Sequence, residues 1–261
     1  MGRPVFRGGQ AIHPVDGAVV PVQTMGPMMH PNFSLLSLCL IGCASTTSSD
    51  DTPEEETPAV IEDTTSENEE PVYTSEVLNL PSELRDAMVG VTWNHDCPVH
   101  ITELRLLRFS HWTFEDEVQE GSLVVAAEEA SVIDGAMRAA FETKFPLESA
   151  RPASDFGGDD DASMAANNTS AFNCRKVTGG DSYSQHSYGN AVDINPVQNP
   201  YVRGTTVLPE AGKDYLVRDP STPGLLVEDS PIVQHFLAAG WGWGGQWSSL
   251  KDYQHLSKSG L

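Results

Sequence analysis

Ser184-Gln185-His186-Ser187-Tyr188-Gly189-Asn190-Ala191-Val192-Asp193-Ile194-Asn195-Pro196 is the stretch around which the chain is organised, and it reads as half of a metal site. His186 and Asp193 offer an imidazole nitrogen and a carboxylate oxygen, the mixed donor set of a catalytic zinc. Gly189 and Ala191 leave room for backbone to approach closely between them. After the turn, period-two alternation predicts a strand: Ala191, Asp193 and Asn195 face one way, Val192 and Ile194 the other. Asp193 then faces a cleft while its neighbours face a core.

A catalytic zinc usually has three protein ligands, so a third is expected elsewhere. Trp241-Gly242-Trp243-Gly244-Gly245-Gln246-Trp247 runs into Ser248-Ser249-Leu250-Lys251-Asp252-Tyr253-Gln254-His255, which supplies His255 and, just before it, the carboxylate of Asp252. An i, i+3 pair in a helical turn or tight loop shares a face, so one residue can bind a metal while the other reaches its water.

Residues 1–43 read as a leader. Asn32 to Cys43 is an apolar run of about ten residues, too short to span a bilayer of about 30 Å but suited to a signal-peptide core. Leu40-Ile41-Gly42-Cys43 resembles a bacterial lipobox, in which the cysteine is lipidated and becomes the mature N-terminus. No Lys or Arg lies between Arg7 and Cys43, so the expected start is Met25, Met28 or Met29. Residues 44–76 are Ser, Thr, Pro, Asp and Glu with almost nothing apolar, a composition that cannot offset its ordering entropy by burial and predicts a disordered acidic tether. Its like charges extend it by self-repulsion.

What remains, 77–261, is about 185 residues, one domain by size and long enough for a core. The net charge of -22 excludes nucleic acid and anionic membrane surfaces as partners, because both demand a basic face. The membrane is then met only through the lipid anchor, and the expected location is exported, on a bacterial membrane at the periplasmic or cell-surface side. Of the 4 cysteines, Cys39 and Cys43 belong to the leader. Compartment and parity predict that Cys97 and Cys174 form a disulfide rather than two buried thiols.

Within the domain, Pro81 to Val89 predicts a short helix stopped by Gly90. Glu103 to Phe109 and Ser122 to Ala127 predict two strands of a hairpin, joined through Glu115, Asp116, Glu117 and Gly121. Glu128 to Lys144 carries Ala130, Ile133, Met137, Ala140 and Phe141 at helical spacing, one apolar face for that sheet. Asp155 to Ser170, rich in Gly, Asp, Ser and Asn, reads as a solvated loop; its Gly157-Gly158-Asp159-Asp160-Asp161 lacks the spacing of a calcium loop. Pro231 to Ala239 predicts a helix with Ile232, Phe236 and Leu237 inward and His235 as a surface or core histidine. The fold class is α+β: a small antiparallel sheet flanked by helices, with a zinc site in a cleft.

Three ligands from two segments, a carboxylate beside the third and Arg175 just upstream point to hydrolysis. Zinc with an open position lowers the pKa of bound water to about 7, and a nearby carboxylate takes the remaining proton as that water attacks a carbonyl. A cation holds the developing oxyanion, and Arg175 is the candidate, with a surface ion pair as its alternative role.

The constellation resembles the peptidoglycan zinc peptidases: D-alanyl-D-alanine carboxypeptidases, D-Ala-D-Ala dipeptidases of vancomycin resistance and phage L-alanyl-D-glutamate endopeptidases. The motifs are Asn167-Asn168-Thr169-Ser170-Ala171-Phe172-Asn173-Cys174-Arg175, the S-x-H-x-x-G-x-A-x-D run from Ser184 to Asp193, Asn195-Pro196 to Asn199-Pro200-Tyr201, and Gly240-Trp241 to His255. The resemblance extends from about Trp93 onward. It implies a DD-peptidase/hedgehog-like fold, Zn2+ as cofactor, His186, Asp193 and His255 as metal ligands, Asp252 as catalytic base and Arg175 as oxyanion clamp. It also implies peptidoglycan stem peptides as substrates of a monomer. Many members carry Glu where this chain has Asp252; the D-x-x-H ending is shared with the branch resembling the phage endopeptidases. The competing reading is a zinc-containing cell-wall binding module without catalysis, against which stand the base and the clamp. A serine hydrolase is excluded by the lack of a G-x-S-x-G elbow.

Overall fold

A computed structural model describes residues 70–177 and 180–260. The expected leader at 1–43, its lipidated Cys43 and the tether up to residue 69 lie outside the described residues. No helix among the described residues is long and apolar enough to cross a membrane.

The first sheet is antiparallel, in the order β1 (Ser75–Asn79), β2 (Leu104–Trp112) and β3 (Val118–Ala126). The expected boundary between tether and domain at 76/77 falls inside β1, and Tyr73 before it is already buried in the core. Between β1 and β2 lies α1 (Ser82–Met88), with Pro81 at its N-cap and Gly90 at φ 79° just beyond its end. The β2–β3 hairpin is longer than its hydrophobic runs alone indicated. Pairing continues from Leu104↔Ala126 to Trp112↔Val118, so Gly121, expected in the connection, sits inside β3 opposite Phe109. The reason is local: a Cβ at Gly121 would lie 2.8 Å from Ala150 Cβ, so a bare backbone is what lets the next layer pack on the strand.

The long amphipathic helix is α2 (Ala130–Glu142), whose Ala130, Ile133, Ala136, Met137, Ala140 and Phe141 are buried as the spacing required. α4 (Pro231–Ala238) packs on it, with Ile232, Val233 and Phe236 in the same core; Leu237 is only partly buried. Gly135 permits this contact, since a Cβ there would lie 2.5 Å from the His235 ring, whose Nε2 donates to the Val132 carbonyl at 3.0 Å. His235 is thus a helix-packing residue.

Asp155 to Ser170, between α2 and the metal stretch, was expected to be a solvated loop, and the segment before it was not assigned. The chain there contains instead β4 (Ser149–Ala150), a 3-10 turn at Ala153–Phe156, α3 (Asp160–Ala165) and β5 (Asn168–Thr169), which pairs in parallel with β4. Polar composition conceals α3 because its start is set by capping: the Asp159 side chain accepts from Ala162 N, and Asp160 and Asp161 lie in the first turn, where the helix dipole favours negative charge.

Two further small antiparallel sheets complete the domain. One has the order β6 (Ala191–Asp193), β11 (His255–Ser257), β9 (Gly242–Trp243); the other is β10 (Lys251–Asp252), β7 (Tyr201–Arg203), β8 (Thr206–Leu208). The expected α+β class holds as helices mixed with small antiparallel sheets, the β4–β5 pair excepted. Cys97 and Cys174 form the expected disulfide, joining positions 77 apart in sequence.

Candidate metal centre and active site

The site is built where β6 meets β11. Asp193 and His255 are direct cross-strand partners, so strand pairing itself brings a carboxylate from one segment beside an imidazole from another. Val192, Ile194 and Leu256 point to the hydrophobic core, which fixes the opposite face of both strands toward the site. Asp193 is also tied from its other side, exchanging backbone hydrogen bonds with Ser170 at 3.0 and 2.9 Å.

His186 arrives on a 3-10 turn, Gln185–Tyr188, capped by Ser184 and closed by Gly189 at φ 68°. A side chain at 189 is excluded twice: the conformation is left-handed, and a Cβ would lie 2.6 Å from Ala126 N at the end of β3. The same close approach makes the hydrogen bond from Ala126 N to the Gly189 carbonyl.

His186 Nδ1 lies 2.5 Å from the Ala171 carbonyl, which can only accept, so Nδ1 carries a hydrogen and Nε2 is turned to the cluster. Nε2 is 3.2 Å from His255 Nδ1 and 3.1 Å from Asp193 Oδ2; His255 Nδ1 is 3.0 Å from Asp193 Oδ1. The three side chains are buried and offer ligand atoms within 4.8 Å of one another. Burial opposes the Asp193 charge, but the adjoining His186 and His255 imidazoles outweigh it and hold its carboxyl well below the usual carboxylate range. The donor set fits a cation: a neutral His186 would aim a lone pair at a carboxylate oxygen, an arrangement that repels unless positive charge lies between them.

Asp252 ends β10, and Tyr253-Gln254 turn the chain into β11, so Asp252 and His255 are linked by a tight turn between strands. Its Oδ1 is shielded from solvent and has no hydrogen-bond partner among the described residues. Burial pushes this carboxyl up to about 6, with the Asp193 charge adding to the rise and His255 opposing it. Trp247, half-buried, stands beside His255 with ring centroids 5.6 Å apart, while its Nε1 donates to the Gly260 carbonyl. Asn195 and Asn199 hold the loop after β6: Asn195 Nδ2 donates to the Pro146 carbonyl at 2.8 Å, and Asn199 Oδ1 accepts from Leu226 N at 2.7 Å.

Arg175 is brought to the same neighbourhood by its backbone. Its N–H donates to Ser187 Oγ at 2.9 Å and its carbonyl accepts from Ser184 N and Ser187 Oγ, on either side of His186. Its guanidinium, however, is paired with Asp160 of α3 at 2.6 Å. Asp160 and Gly244, which packs against Asp252, went unread in the sequence. Asp160 lay in a run read as loop; the Gly244-Gly245 pair within a tryptophan-rich segment was the available signal for close packing.

No curated protein and no solved structure matches the chain. Residues 178–258, the span that contains His186, Asp193, Asp252 and His255, match the family model described as D-alanyl-D-alanine carboxypeptidase, and this match supports the zinc peptidase family.

Proposed function

We propose that the protein is a zinc metallopeptidase that hydrolyses peptide bonds in the stem peptides of bacterial peptidoglycan, as a D-Ala-D-Ala carboxypeptidase or an L-Ala-D-Glu endopeptidase. The observation that carries this reading is the buried His186, Asp193 and His255 cluster within the matched segment, with the raised carboxyl of Asp252 at its edge. His186, Asp193 and His255 would hold a divalent ion, which when bound would supply Lewis acidity to the scissile carbonyl and to the attacking water. Asp252 accepts that water's proton and passes it to the leaving amine; an elevated pKa suits both steps. Arg175 supplies positive charge for the developing oxyanion or a substrate carboxylate. His186 is kept in the ligating tautomer by Ala171. The enzyme acts as a monomer, exported and held to a bacterial membrane by a lipid on Cys43; fatty acid that labels a Cys43→Ser variant equally would remove the anchor from this reading.

Zinc-supplied protein should be incubated with purified wall peptides, with and without a chelator, and the new termini identified by mass spectrometry. Released D-alanine indicates the carboxypeptidase, and a new N-terminal D-glutamate the endopeptidase. A zinc-loaded protein that generates neither overturns the proposal.

A further inference from the structure

The Arg175 guanidinium does not stand alone. Its Nη2 donates to Asp160 Oδ2 at 2.6 Å, with both side chains about two-thirds covered, 28% and 32% exposed. Its Nε is shielded from solvent and has no hydrogen-bond partner among the described residues. Asp160 therefore grips one donor of a guanidinium whose side chain stays partly exposed, leaving others for an oxygen that the protein itself does not provide. A buried unpaired donor is costly, and such a group is kept where something else satisfies it.

The helix that carries Asp160 is docked to the metal centre at a second point. Met164 lies one turn after Asp160 on the same face of α3, and its Sδ accepts from Gln254 Nε2 at 3.5 Å; Gln254 directly precedes His255. The loop before the helix is tied down as well, because Asn173 Nδ2 donates to the Gly158 carbonyl at 3.1 Å, two residues from Arg175. One short helix thus spans from the clamp to the segment of the third ligand.

We infer that Asp160 is a positioning residue: it fixes the partly exposed Arg175 guanidinium so that an N–H not taken by Asp160 is presented to an anionic oxygen of the substrate, a peptide carboxylate or the oxyanion that forms at the scissile carbonyl. The inference rests on the proposed peptidase reading. The opposite role for the same contact is that Asp160 occupies the place of a substrate carboxylate and must be displaced. The two differ in sign, since loss of a support lowers turnover and loss of a competitor raises it.

The test is a double-mutant cycle on the full chain with zinc, using purified wall peptides as the probe and zinc content measured on each preparation. Asp160→Asn should lower kcat/KM about tenfold to a hundredfold with zinc unchanged, the range expected when a catalytic group is displaced by about 1 Å. Asp160→Glu should recover part of the loss, and Asp161→Asn on the exposed side of α3 should behave as wild type. In an Arg175→Ala background Asp160→Asn should cost nothing further. An equal loss in both backgrounds, or a gain in the Asp160→Asn single variant, overturns the inference. A second readout is independent of turnover: the Arg175 Nε–H nuclear magnetic resonance signal should exchange slowly in the wild type and rapidly in Asp160→Asn. Unchanged exchange overturns the positioning role even in an active enzyme, whereas rapid exchange in Asp160→Asn with an inactive wild type would leave the contact established and refute the peptidase reading.

Discussion

A Cβ placed on Gly244 would lie 2.4 Å from the carbonyl oxygen of Asp252 and 2.9 Å from its Cβ. The backbone of the Trp-Gly-rich segment is thus in direct contact with the proposed base, and only the absence of a side chain allows it. Gly244→Ala should move Asp252 and lower turnover by at least tenfold, while zinc content stays near that of the wild type because the nearest atoms that the added Cβ would meet all belong to Asp252. Overpacking of this kind costs about 1–3 kcal/mol, so the melting temperature should fall as well. Full activity in a folded Gly244→Ala variant would show that Asp252 need not sit where it does.

Ligand and base separate in their consequences for metal. His255→Ala leaves two donors and should lose both zinc and activity. Asp252→Asn keeps shape and packing but cannot accept a proton, so it should retain zinc and lose on the order of 100-fold to 10,000-fold in rate. Metal analysis and turnover on the same preparations decide the matter, and zinc loss in Asp252→Asn would make Asp252 a ligand or a ligand's support.

The pH dependence follows from the raised Asp252 carboxyl. A base must be ionised, and a group displaced upward to about 6 by burial loses its charge as pH falls through that value. A bound dication favours the ionised form and pulls the midpoint lower. The kcat/KM profile of the zinc enzyme should therefore show an acid limb with a midpoint at or below about 6; a flat profile from pH 7 down to 4 would contradict the role of Asp252.

Stability carries a separate pH signature from His111. Burial holds this imidazole below its ordinary range, although its contact with the Trp112 carbonyl opposes that shift. The unfolded chain therefore binds the proton more readily than the folded one. Stability should be greatest above the unfolded value of about 6.5 and decline as pH falls from there toward the folded value. Denaturant titrations of wild type and His111→Asn should differ in slope over that window, and identical slopes would remove His111 as the cause.

The disulfide should matter mainly through the unfolded state. Closing a loop across a separation of 77 residues is worth on the order of 4 kcal/mol in the chain-entropy description. A Cys97→Ser, Cys174→Ser double variant should lose stability of that order in urea titrations, and a loss below about 1 kcal/mol would show that the native packing around Trp93 and Phe172 holds this corner unaided.

The candidate ligands were picked out in the sequence because few side chains bind metals and they occur in short local patterns, and the fold brings the three together. His186 and Asp193 flank a Gly-containing turn, and His255 follows Asp252 at one turn's spacing. The helices over 130–142 and 231–238 were legible for a similar reason, since their apolar period is written along one continuous stretch. Compartment and parity together pointed to the Cys97–Cys174 pair. Tertiary structure alone decided that His255 stands opposite Asp193, because register between residues 62 positions apart depends on which faces of two strands the core accepts. It also decided that Arg175 is held by Asp160. Six residues of helix in a polar run have no apolar period to read; caps and contacts at both ends select that conformation, and those contacts exist only once the chain has folded.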